Sequence, residues 1–63
     1  MKTDRILVAD DEESIRWVLS KALTGKGFTV DLAANGTEAA RLFRQEDYLL
    51  AIIDIKMPDL SGL

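Results

Sequence analysis

The sequence has no cysteine, no histidine, a single proline and only four glycines in 63 residues. The first two absences remove disulfide bonds and the usual zinc sites, whose ligands are thiolates and imidazoles. A chain without cysteine also fits a reducing compartment. With so little glycine and proline, and 48% of residues apolar, the composition is not that of a disordered chain. Cations are in deficit, 8 Lys+Arg against 11 Asp+Glu, and the net charge of -3 argues against a nucleic-acid surface. Long apolar runs are missing as well. Ile6-Leu7-Val8-Ala9 is far too short for a signal-peptide core or a membrane span, and acids follow it at once. These features predict a soluble cytoplasmic protein. No repeat or linker is visible, so residues 1–63 are read as one unit. A chain this short buries only about 60% of the surface that its unfolded form exposes.

What is present alternates between strand and helix patterns. Ile6–Ala9 is a continuous apolar run, the mark of a parallel strand buried on both faces. The acidic segment Asp10-Asp11-Glu12-Glu13-Ser14 suits a helix N-terminus. Ile15, Val18, Leu19, Ala22 and Leu23 then recur at helical spacing, a stripe expected to face the core, and Gly25 and Gly27 stop the helix. Phe28–Leu32 is rich in strand formers but less apolar. Asn35-Gly36-Thr37 reads as a turn with a helix cap, followed by a helix to about Arg44 with Ala39, Ala40 and Phe43 inward. Leu49–Ile53 is a second strongly apolar strand ending at Asp54, and Met57–Gly62 reads as a loop. The order βαβαβ predicts a parallel α/β sheet with right-handed crossovers. The two apolar strands belong side by side and the Phe28 strand at an edge. That gives the spatial order 2-1-3, which opens a flavodoxin-like doubly wound sheet with its site beyond the strand ends.

The acids carry the chemistry. Asp10 and Asp11 follow the first strand and Asp54 ends the third. If those strands are parallel neighbours about 4.8 Å apart, the carboxylates converge at one end of the sheet. Two like charges about 4 Å apart repel by roughly 4 kcal/mol at an effective dielectric constant of about 20. Such a cluster calls for shifted pKa values or a bound cation. Oxygen ligands without His or Cys favour Mg²⁺, which also suits a carboxylate nucleophile in phosphoryl transfer. The plain alternatives are capping and dipole chemistry for Asp10–Glu13, and a strand-ending turn for Asp54.

Taken together these motifs resemble bacterial response-regulator receiver domains along the whole chain. Val8-Ala9-Asp10-Asp11-Glu12 is similar to the acidic opening of that family, and Asn35-Gly36 with Ala39 and Ala40 to the entry of its second helix. Ile53-Asp54-Ile55-Lys56-Met57-Pro58-Asp59-Leu60-Ser61-Gly62 resembles the phosphoacceptor strand and the Met-Pro…Gly loop after it. Ser14–Leu19 resembles the first helix of NtrC-type nitrogen regulators in particular. The resemblance implies that Asp54 accepts a phosphoryl group from a sensor histidine kinase and that the protein regulates transcription through a domain outside this sequence. It implies that Asp10, Asp11, Asp54 and the main-chain carbonyl of Lys56 hold Mg²⁺, with Pro58 and Gly62 shaping the loop around that carbonyl. Ile15 falls where receivers dock their kinase, and a start to the core stripe explains it equally. Trp17 lies off the stripe and is expected to be partly exposed.

By the same resemblance, this is the N-terminal half of a receiver, without the later strands that carry the Ser/Thr and Lys of the phosphoryl clamp. An apolar third strand with an open edge then predicts a homodimer or higher oligomer. The alternative function is a self-associating structural fragment with no phosphotransfer. A dehalogenase-type hydrolase also uses a strand-end Asp, but it places a second Asp two residues on, where Lys56 stands. No Gly-rich loop follows the first strand to bind a nucleotide. A receiver turns over no free substrate, so no enzyme activity is expected.

Overall fold

The first strand, β1 (Arg5–Ala9), forms because four consecutive apolar residues can be buried only where both faces are covered. The computed structural model describes residues 3–54, and within it Ile6, Leu7 and Val8 are essentially inaccessible. Burying a side chain of this size contributes about 2 kcal/mol, so β1 is the main source of cohesion. The helix α1 (Glu13–Thr24), the strand β2 (Thr29–Ala33), the helix α2 (Gly36–Gln45) and the strand β3 (Leu50–Ile53) follow in that order. Both partners of β1 run parallel to it, giving the expected sheet order β2-β1-β3.

The path steps from β1 to one side and then crosses to the other, so right-handed crossovers place the helices on opposite faces. Leu7, Ala9 and Ala33 meet Ala39 of α2 on one face, with Leu42, Tyr48 and Ala51 packed against them. On the other face, Ile15 and Leu19 of α1 border a cleft floored by Val8 and Ile52. Gly27 takes φ +96° in the turn between α1 and β2, a conformation that disfavours any side chain. Among the described residues no helix is long and apolar enough to cross a membrane.

Two expectations about inward faces need correction. No residue of α1 is fully buried, and Val18 of its stripe is 55% exposed. Phe43 does not enter the core. It is 59% exposed and stacks on Tyr48, with ring centroids 6.2 Å apart. Helical spacing correctly groups these residues on one face, but three short strands are too narrow to cover the outer part of either face. Trp17 is exposed as expected, with the Lys21 ammonium 5.5 Å from its ring.

Candidate functional site

The register of the sheet builds the site. Ala9 pairs with Ala33 on one side and with Ile53 on the other, so all three strands end level. The next residues of β1 and β3 therefore emerge together. The Asp10 N–H donates to the Ala33 carbonyl at 3.1 Å and the Asp54 N–H to the Ala9 carbonyl at 2.9 Å. Both aspartates thus hang from the last rungs of the ladder. Asp10 Oδ1 accepts the Glu12 N–H at 2.9 Å, closing an Asx turn that leads into α1. Glu12 is the N-cap residue of α1 and makes no side-chain cap bond.

Asp10, Asp11 and Asp54 each offer one carboxylate oxygen, and the three lie within 4.8 Å of one another. Asp10 and Asp54 are half-buried and Asp11 is exposed. Beside them opens a cleft of about 260 Å³ lined by Glu12, Ile15, Leu19 and Ile52. This donor set consists only of oxygen, is anionic and is open to solvent on one side. It fits Mg²⁺, which takes one or two carboxylates directly and retains water for its other positions. Zinc, which favours nitrogen and sulfur, is a poor match.

Of the residues singled out in the sequence, the three aspartates are brought together and Ile15 lies at the mouth of their cleft, 39% exposed. Lys56, Pro58 and Gly62 lie outside the described residues. Sequence reasoning missed Arg16. Its Nη1 donates to the Asp10 carbonyl at 2.7 Å, across the first turn of α1. The available signal was a cation in the first turns of a helix, where the macrodipole disfavours positive charge.

Comparison with known proteins bears on the family of the chain. A family model described as the response regulator receiver domain matches residues 6–63. The "Probable transcriptional regulator ycf27" of Porphyra purpurea is 48% identical over 59 residues, 94% of this chain and 24% of that protein. The "Transcriptional regulatory protein CusR" of Escherichia coli (strain K12) is 43% identical over 58 residues, 92% of this chain and 26% of that protein. The chain thus spans about a quarter of the length of the curated relatives it matches. Among solved structures, the chemotaxis response regulator CheY4 of Vibrio cholerae superposes with a TM-score of 0.88 at 33% identity, over 97% of this chain and 51% of that one. The finer likeness of the first helix to NtrC-type nitrogen regulators is not supported by these relatives, whose names point elsewhere.

Proposed function

The chain belongs to the response regulator receiver family, and from that premise we propose that Asp54 is the phosphoacceptor of a two-component signalling module. The observation that carries this reading is the convergence of three carboxylates within 4.8 Å at the level end of a parallel sheet. An Asp54 carboxylate oxygen forms a bond to the phosphorus of a histidine-kinase phosphohistidine. The P–N bond breaks as the P–O bond forms, and its electron pair stays on the departing imidazole. The product is an acyl phosphate on Asp54.

Asp10, Asp11 and Asp54 are the groups that would hold Mg²⁺, joined by the Lys56 carbonyl that the family resemblance implies. When bound, the ion offsets the charge of the carboxylates and of the phosphoryl oxygens. The protein supplies the rest. The β1–β3 ladder fixes the backbone of Asp54, and the Asx turn at Asp10 holds the acidic segment beside it. Ile15, at the mouth of the cleft, gives a kinase an apolar contact close to the acceptor. The chain turns over no free substrate in this scheme, and transcription is regulated through a further domain, as the names of the relatives suggest.

Intact mass spectrometry after incubation with acetyl phosphate and Mg²⁺ tests the reading. A single phosphoryl adduct is expected, absent in Asp54→Asn and absent when the metal is chelated. Folded protein that gains no adduct would sink it.

A second reading, self-association without phosphotransfer, is favoured by one observation. Among the described residues β3 pairs on one side only, and Leu50 and Ile53 are exposed along it, with Leu49 exposed just before it. Such an edge is a template for pairing with another copy.

A further inference from the structure

Arg16 stands in an unfavourable place for a cation. It is the fourth residue of α1, close to the positive end of the helix dipole, where an acid would be stabilising. Ordinary surface chemistry would pair it with Glu12 or Glu13, one turn back. Among the described residues neither ion pair is formed. The guanidinium instead reaches past both glutamates to the Asp10 main-chain carbonyl, at 2.7 Å in a part-buried setting.

That contact completes the restraint of Asp10. Its N–H is tied to Ala33 of β2, its Oδ1 to the N–H of Glu12, and its carbonyl to Arg16 of α1. Arg16 also anchors itself, since its own N–H bonds the Glu12 carbonyl at 3.2 Å. Asp11 has its neighbours held on both sides and follows them. We infer that Arg16 is a positioning residue for the acidic site, fixing the Asp10–Glu12 turn so that the carboxylates of Asp10 and Asp11 stay directed toward Asp54. This inference rests on the reading that these carboxylates bind Mg²⁺.

Loss of the Arg16 side chain changes Mg²⁺ affinity by two opposed routes. By Coulomb's law alone, removing a positive charge near an acidic cluster strengthens cation binding. Loss of an anchor that orients the ligands weakens it, as deletion of groups supporting metal ligands does, by about 10-fold or more. The two effects oppose each other, so the direction of change identifies which one Arg16 exerts.

Calorimetric titration of the chain with Mg²⁺ alone, for the unchanged protein, Arg16→Ala and Arg16→Lys, is the test. Helical content by circular dichroism confirms that each variant is folded. The expected result is binding about 10-fold weaker in Arg16→Ala, with an intermediate loss in Arg16→Lys, whose ammonium keeps the charge and can donate but lacks the planar fork of the guanidinium. Amide exchange at Glu12, whose N–H is held by Asp10, should quicken in Arg16→Ala while exchange in β1 does not. Equal or tighter binding in Arg16→Ala overturns the positioning role and leaves the metal site standing. If Arg16→Ala does not fold, Arg16→Met, which keeps the apolar stem but carries no donor, takes its place, and binding equal to or tighter than that of the unchanged chain overturns the inference. If the unchanged chain binds no Mg²⁺, the metal reading fails and the inference with it.

Discussion

Arg5, Asp31 and Tyr48 join three segments at the end of the sheet away from the acidic site. Arg5 Nη1 contacts both carboxylate oxygens of Asp31, at 2.8 and 3.0 Å, and the Tyr48 hydroxyl donates to the same carboxylate at 2.7 Å. Burial opposes the charge on Asp31, but the bonds from Tyr48 and Arg5 outweigh it and hold the carboxyl below its ordinary range. Burial, and then the bond to Asp31, push the Tyr48 phenol up to about 12, so it stays a donor to the ionised carboxylate at neutral pH and well into the alkaline range. Because the folded carboxyl titrates below the unfolded one, its stabilisation is complete above the unfolded value of about 3.9 and fades as pH falls through the folded value. Tyr48→Phe removes one donor. It is expected to cost about 1 kcal/mol near neutral pH and to raise the Asp31 carboxyl toward its ordinary value. Urea denaturation and an NMR titration of the carboxyl carbon check both effects, and an unmoved Asp31 titration would show that the phenol does not hold it in solution.

The second helix depends on how its first turn is closed. Asn35 Oδ1 accepts the Glu38 N–H and Glu38 Oε1 accepts the Ala34 N–H, both at 2.8 Å, so two otherwise orphaned donors are satisfied reciprocally. Asn35→Ala should destabilise the fold by about 1 kcal/mol, with Asn35→Asp close to the unchanged chain, as read from denaturation midpoints. Equal midpoints for all three would show that the cap is replaced by water. The helix and its cap are legible in the sequence because Asn-Gly-Thr ahead of an amphipathic run has a local cause. The strands β1 and β3 are legible for a similar reason, since continuous apolar runs fit only a doubly covered strand. β2 begins at Thr29 rather than Phe28, a shift of one residue that composition cannot resolve. The fates of Val18 and Phe43 depend on the width of the sheet beneath them, which periodicity does not report. The bond between Arg5 and Asp31 is equally hidden, because it follows from the register that pairs Arg5 with Thr29 and so makes Asp31 a diagonal neighbour. The aspartate cluster is legible because it needs only the strand order, whereas the contact of Arg16 needs the path of the turn before α1.

Across the whole molecule, cohesion is concentrated in β1 and exposure along β3. Leu50 is 52% and Ile53 40% exposed on a strand whose other edge is unpaired among the described residues. In the second reading proposed above, self-association runs through this strand, and a lysine on such an edge opposes it. Light scattering should therefore show an oligomer for the unchanged chain and a smaller species for Leu50→Lys. A compact, folded monomer of the unchanged chain would contradict the role given to the β3 edge. Phosphotransfer tests a different part of the molecule, and the two properties can be separated, because Leu50 lies at the start of β3 and Asp54 beyond its end.

The central claim is that the level ends of β1 and β3 make Asp54 the acceptor of a phosphoryl group. Its most direct test is to treat the chain with acetyl phosphate and Mg²⁺, reduce it with borohydride, and locate the product by peptide mass spectrometry. An acyl phosphate on Asp54 is predicted to appear as homoserine at position 54, with no conversion at Asp10 or Asp11 and none when Mg²⁺ is chelated. Homoserine at another aspartate, or none on folded protein, would contradict the account.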